Sequence, residues 1–179
     1  MAIIVFTLVI LSCIIVLRVK ENTENRGGKT MGAIFKKYDI RLTKEHSGRY
    51  DMDRQITSSI QAAKICKELY DLDSLPYEKM VMITLDTRHN VVGCFEISRG
   101  TVDEATIYPR EIATRALLTN AKAVIITHNH PSGSLNPSKP DMVITRKVED
   151  VLEMLDIRLL DHIIVTSDKS YSFADNGLL

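Results

Sequence analysis

A short apolar run at residues 123–127, Ala-Val-Ile-Ile-Thr, places the strongest restriction on the fold of this chain. Its apolar residues are continuous rather than alternating with polar ones. Such a run is typical of a strand that is buried on both faces. We therefore expect residues 123–127 to form a central strand in a sheet covered by other elements on both sides.

Four further strands are predicted on either side of this one. A polar turn at residues 86–90 separates two apolar runs, which predicts a hairpin. A second polar turn, at residues 167–170, separates the last two runs. The predicted strands are Met80–Leu85, Val91–Ser98, Leu159–Thr166 and Tyr171–Phe173.

Helices are predicted between the strands. Residues 58–70 carry apolar residues at roughly helical spacing, and Ser58 with Gln61 has the form of a capping box. Pro109 is suited to the first position of a second helix, which runs to about Asn120. A third helix is expected from about Ser138 to Leu155. The residues expected on the apolar faces of the first two helices are Ile60, Ala63, Ile65, Leu69, Ile112, Ala116 and Leu117. This alternation of helices and strands predicts an α/β class with a mixed sheet.

The N-terminal residues 2–17 are apolar and contain no charge. Sixteen helical residues span about 24 Å, which is short but sufficient for a membrane core about 30 Å thick. The flank at residues 18–49 holds nine basic and four acidic residues, which predicts that it stays on the cytoplasmic side. We expect an apolar helical anchor within 1–20, a polar basic linker at 21–50, and a cytoplasmic catalytic domain at 51–179. The alternative is an upstream extension ahead of a start at Met31.

A metal site is predicted directly after the central strand. His128 and His130 are two residues apart, so in an extended chain both imidazoles point to the same side. Asp141 can add a carboxylate oxygen from the first turn of the next helix. Two nitrogens and one oxygen leave a fourth position for water, as in catalytic zinc sites. The alternative for Ser138 and Asp141 is an ordinary helix cap, although one residue can both cap a helix and bind a metal.

The spacing His-x-His-x(7)-Ser-x-x-Asp resembles the JAMM metallopeptidase signature of JAB/MPN domains. The segment His-Asn-His-Pro-Ser-Gly at 128–133 is similar to the RadC-like branch in particular. Tyr-Pro-Arg-Glu at 108–111, Leu-Asp-His-Ile-Ile-Val at 160–165 and Tyr-Ser-Phe-Ala at 171–174 extend that similarity over roughly residues 52–179. The resemblance implies a single JAB/MPN-like domain, with a mixed sheet flanked by helices.

The resemblance also implies a mechanism and one zinc ion per chain. His128, His130 and Asp141 would hold the zinc, which activates a water molecule. Glu96, a lone carboxylate in an apolar strand pattern, matches the position of the family's general base, and Ser138 would donate a hydrogen bond to the developing oxyanion. The reaction implied is hydrolysis of a peptide or isopeptide bond in a protein substrate. The alternative for Glu96 is a solvent-facing residue on an edge strand, and its competitors are Glu104 and Glu111.

Composition restricts the remaining function classes. The chain has a formal net charge of zero, so it has no overall positive charge that would attract nucleic acid. Its three scattered cysteines argue against a disulfide framework. Two other hypotheses stay open. One is a non-catalytic JAB-fold binding module with a structural metal, whose partner is protein or DNA, in line with the family's DNA-repair label. The other is zinc-dependent hydrolysis of a different bond, such as a phosphodiester.

Overall fold

The computed structural model describes residues 42–44, 47–48, 52–100 and 107–179. Contacts within the chain divide it into residues 1–49 and residues 50–179, and the elements below belong to the second unit. The predicted apolar helix at 2–17 and most of the predicted linker at 21–50 lie outside the described residues. Within the described part of the chain, no helix combines the length and the apolar character that crossing a membrane requires.

A five-stranded mixed sheet forms the middle layer of the domain. Its strands in chain order are β1 Lys79–Leu85, β2 Val91–Arg99, β3 Ala123–Asn129, β4 Arg158–Val165 and β5 Ser170–Ser172. They are arranged in the order β2-β1-β3-β4-β5, and only β3 and β4 run parallel. Every residue of β3 is buried, which confirms the prediction of a central strand covered on both faces.

Helices cover both faces of this sheet and divide the core into two clusters. Helix α1, Ser59–Tyr70, packs on one face, where Ala62, Ala63 and Cys66 form the α1 cluster together with side chains of β1, β3 and β4. Helices α2, Pro109–Leu118, and α3, Lys139–Glu153, pack on the other face, where they form the α2–α3 cluster. The mixed sheet flanked by helices is thus confirmed.

Two predictions about apolar helix faces are wrong. Ile60 is 73% exposed and Leu117 is 53% exposed. In α1 the buried positions are Ala62, Ala63, Ile65 and Cys66, so the face that meets the sheet is centred away from Ile60. In α2 the buried positions are Ile112, Ala113, Arg115 and Ala116, so Leu117 falls outside the face that meets the sheet.

Candidate metal centre

Two of the predicted ligands come from the end of β3. The strand extends further than its apolar run and includes His128, which is buried, whereas His130 follows it directly. The His130 main-chain N–H donates to the carbonyl of Val165 at the end of β4, 3.0 Å away, so the chain stays extended past the strand. The two Nε2 atoms of His128 and His130 consequently lie 2.9 Å apart.

The third ligand comes from the first turn of α3. Asp141 Oδ2 accepts from the Ser138 main-chain N–H at 2.7 Å, and the Asp141 N–H donates to Ser138 Oγ at 3.2 Å. This capping box fixes the carboxylate, whose Oδ1 lies 3.2 Å from His128 Nε2 and whose Oδ2 lies 3.5 Å from His130 Nε2. Asp141 therefore both caps the helix and faces the histidines, which the sequence allowed.

These three side chains fit a metal ion. One ligand atom from each of His128, His130 and Asp141 lies within 4.8 Å of the others, and they are the one such group of His, Cys, Asp or Glu side chains in the described residues. The ring of His130 is fixed from behind, because its Nδ1 lies 2.8 Å from the carbonyl oxygen of Ser134, which can only accept. Its Nε2 is thus the nitrogen available to a metal. Two imidazole nitrogens and one carboxylate oxygen are donors that zinc accepts in catalytic sites.

The charges of the group support one another. Partial burial raises the pKa of Asp141, but hydrogen bonds from His128 and His130, together with the charge of His128, outweigh it and hold that pKa far below its usual range. The hydrogen bond to Asp141 raises the pKa of His130, although partial burial opposes it. Asp141 therefore offers an ionised carboxylate oxygen beside two imidazole nitrogens, and metal binding here would release any protons that those nitrogens carry.

The side chain of Asn129 links two neighbouring strands beside this site. Its side chain is buried, and its Oδ1 accepts from the Lys79 main-chain N–H at 2.8 Å while its Nδ2 donates to the carbonyl of Tyr77 at 2.9 Å. Asn129 thereby joins the start of β1 to the end of β3. The residue between the two histidines has a structural role.

The structure does not bring Glu96 to the three ligands. Glu96 lies opposite Val81, which packs in the α1 cluster, whereas His128 lies opposite Met80, which packs in the α2–α3 cluster. Because residues directly opposite each other in antiparallel strands share a face, Glu96 and His128 project from different faces of the sheet. Glu96 Oε2 instead pairs with Lys79 Nζ at 3.2 Å.

Ser138, the other predicted catalytic residue, lies beside the ligands. Its side chain is exposed, and its hydroxyl donates to Asp141 Oδ2 at 2.6 Å. Of the competing acids, Glu111 pairs with Arg115 in α2 at 2.9 Å, and Glu104 lies outside the described residues. Glu78 was not singled out by the sequence, yet its charge contributes to the raised pKa of His130. Strand alternation from Met80 places Glu78 on the same face as His128, which is the signal that could have found it.

Comparison with known proteins identifies the family of this domain. The family model of the RadC-like JAB domain matches residues 56–178. The UPF0758 protein of Variovorax paradoxus (strain S110) is 44% identical over 108 residues, which cover 60% of this chain and 48% of that protein. The UPF0758 protein of Polaromonas sp. (strain JS666) is 38% identical over 127 residues, 71% of this chain and 56% of that protein. The chain spans about half the length of the curated relatives it matches. Since the family model covers well over half of the sequence, the chain belongs to the RadC-like JAB domain family.

Proposed function

We propose that this domain is a zinc-dependent hydrolase that cleaves a peptide or isopeptide bond. The observation that carries the proposal is the convergence of His128 Nε2, His130 Nε2 and Asp141 Oδ1 beside an exposed serine hydroxyl. A zinc ion held by these atoms would supply a Lewis acid and a water molecule with a pKa near about 7. One metal with a single carboxylate ligand suits amide hydrolysis better than phosphodiester hydrolysis, for which many enzymes use two ions.

Ser138 is proposed to stabilise charge on the substrate. Its exposed hydroxyl now donates to Asp141 Oδ2, and rotation about one side-chain bond turns it toward the solvent side of the site. There it donates a hydrogen bond to the oxygen of the scissile carbonyl as negative charge develops. The capping bond from the Ser138 main-chain N–H keeps Asp141 in place during that rotation.

Glu96 is proposed as the general base that takes a proton from the attacking water and delivers it to the leaving amine. Its support is its match to the family position, since its present partners are Lys79 and Arg99. Action on this site requires Glu96 to leave both cations and to reach the ligands from the other face of the sheet. Glu78 is the second candidate for the same role, because its charge already acts on His130.

The substrate is proposed to be a protein or peptide, and an isopeptide on a lysine side chain is the preferred class by family resemblance. Residues 2–17 are proposed to hold the domain at the inner face of the cytoplasmic membrane. Protein substrates close to that surface would then be favoured.

The test uses the full chain, loaded with zinc, on fluorogenic peptides and on lysine-linked isopeptides. We expect hydrolysis that His128→Ala abolishes. Glu96→Gln and Glu78→Gln, assayed side by side, identify the base, because loss of the base lowers kcat by about 10²–10⁴-fold. Absence of hydrolysis of both substrate classes by the zinc-loaded, folded chain would contradict the proposal.

The position of Glu96 favours one second candidate, a binding module whose metal is structural. A carboxylate bound to Lys79 on the far face of the sheet stabilises the fold without taking part in chemistry. That function predicts that zinc raises the melting temperature while no substrate is cleaved. A DNA partner would show affinity that falls steeply with salt concentration.

A further inference from the structure

A buried histidine that the proposed chemistry does not use lies behind His128. His162 of β4 is 0% exposed, and its Nε2 lies 2.8 Å from His128 Nδ1. Its other nitrogen, Nδ1, lies 2.6 Å from Oγ1 of Thr145 in α3. The ring also stacks on Phe173, with 4.6 Å between ring centroids. Both nitrogens of His162 thus have a partner inside the protein.

The position of each proton in this series of hydrogen bonds follows from Thr145. Thr145 Oγ1 lies 2.6 Å from the main-chain oxygen of Asp141, which can only accept. Two oxygens at that distance repel each other unless a proton lies between them, so the single hydroxyl proton of Thr145 points to Asp141. Thr145 Oγ1 must then accept from His162 Nδ1, which therefore carries the ring proton.

The proton on the ligand His128 can be placed from the other end of this series of hydrogen bonds. A metal ion bound to His128 takes its Nε2 atom, because Nδ1 faces His162, and a metal-bound imidazole carries its one proton on the other ring nitrogen. That Nδ1 proton is donated to His162 Nε2, 2.8 Å away, so the proton of His162 stays on Nδ1, where Thr145 accepts it. The Nε2 atom of His128, which faces His130 and Asp141, is then the atom left for the metal.

We propose that Thr145 and His162 are positioning residues that fix the tautomer of His128 for metal binding. The relay runs from the main-chain oxygen of Asp141 through Thr145 and His162 to His128, so it begins on one metal ligand and ends on another. His162 accepts from Nδ1 of His128 as the Ser134 carbonyl accepts from Nδ1 of His130. The proposal rests on the metal-binding part of the proposed function and is independent of hydrolysis.

Thr145→Val is the decisive variant, because it removes the hydroxyl and keeps the branched shape. Without its acceptor, the Nδ1 proton of His162 loses its partner, and the ring is free to place that proton on Nε2. His128 would then accept at Nδ1 and carry its own proton on Nε2, where a metal must bind. Thr145→Ser restores the hydroxyl. Thr114→Val is the matched control, because Thr114 also donates to the carbonyl four residues earlier but touches no histidine.

The experiment combines two readouts on the full chain. Long-range ¹H–¹⁵N NMR of the metal-free protein reports which nitrogen of His128 is protonated, and competition with a chromophoric chelator reports zinc affinity. We expect an Nδ1 proton on His128 in the wild type and in Thr145→Ser, and a shift toward Nε2 in Thr145→Val. Zinc affinity should fall about 10- to 100-fold in Thr145→Val only, as for other residues that support metal ligands.

Two results would overturn the relay: a wild-type His128 that carries no proton on Nδ1, or a Thr145→Val protein that matches Thr114→Val in both readouts. The outcome is separable from that of the proposed function. A protein that binds zinc through this relay and hydrolyses nothing supports the relay and contradicts the hydrolase. The NMR readout needs no metal, so it decides the relay even for a chain that binds none.

Discussion

Glu96 of β2 and Lys79 of β1 form an ion pair in which Oε2 and Nζ are 3.2 Å apart. The Lys79 side chain is only 7% exposed and that of Glu96 is 22% exposed, so the ammonium group has little water around it. Arg99 adds a second cation to the same Glu96 oxygen at 3.3 Å. Glu96 consequently stabilises the sheet whether or not it acts in catalysis.

Glu96→Gln should therefore lower the free energy of unfolding by about 1–3 kcal/mol, because it leaves Lys79 buried without its charge partner. Denaturant unfolding of the metal-free protein measures this. The double variant Lys79→Met with Glu96→Gln should recover most of the loss, since no unpaired charge stays buried. If the losses of stability in Lys79→Met and Glu96→Gln simply add in the double variant, the two residues are not coupled.

Asn129→Ala should destabilise the protein by roughly 2–4 kcal/mol. The change removes two hydrogen bonds and leaves the Lys79 N–H and the Tyr77 carbonyl without their side-chain partner. Thermal or denaturant unfolding gives the value. Asn136→Ala, at an exposed position in the following loop, is the control and should stay within about 0.5 kcal/mol of the wild type. A similar small effect at Asn129 would contradict its role in joining β1 to β3.

Ser138→Ala should cost about 1 kcal/mol of stability in the metal-free protein, because α3 loses its capping hydroxyl. Zinc affinity should fall as well, since the Asp141 carboxylate loses the donor at 2.6 Å. Ser58→Ala is the matched control, because it removes the corresponding cap from α1 without touching the metal ligands. Ser58→Ala should lower stability and leave zinc affinity unchanged. An equal fall in affinity in both variants would attribute the effect to general destabilisation.

Cys66 and Cys94 should resist alkylation in the folded protein. Burial raises the pKa of the Cys66 thiol to about 12 and that of the Cys94 thiol to about 11. Because the thiolate is the reactive form, both thiols stay protonated and unreactive at about pH 8, and reactivity grows only as the pH approaches those values. Peptide mass mapping after iodoacetamide treatment checks this, with denatured protein as the reference. Rapid labelling of Cys66 under native conditions would contradict the described packing.

Much of the fold could be predicted because the sequence carries strong local signals. The continuous apolar run of β3 and the capping residues Ser58 and Ser138 each correspond to an element seen in the structure. Ile60 and Leu117 were misplaced because helical spacing gives a periodicity but not the direction in which the sheet lies. That direction is set by tertiary packing, which a single sequence does not reveal.

In the candidate site, too, only the features with a local sequence signal could be predicted. His128, His130 and Asp141 could be grouped from spacing, since a strand end and a helix start are local features. The partners of His162 could not, because Thr145 is 17 residues away and His128 is 34 residues away along the chain. Which face of the sheet Glu96 occupies depended on the register between β1 and β2, which shifts between Met80 and Val81 and which the predicted hairpin alone does not give.

The central claim, a zinc ion held by His128, His130 and Asp141, is tested most directly by elemental mass spectrometry of the full chain. We predict about one zinc per wild-type chain, none in His128→Ala or Asp141→Ala, and unchanged zinc in Glu96→Gln, whose side chain lies on the other face of the sheet. A folded wild-type protein that holds no zinc even after reconstitution would contradict the account.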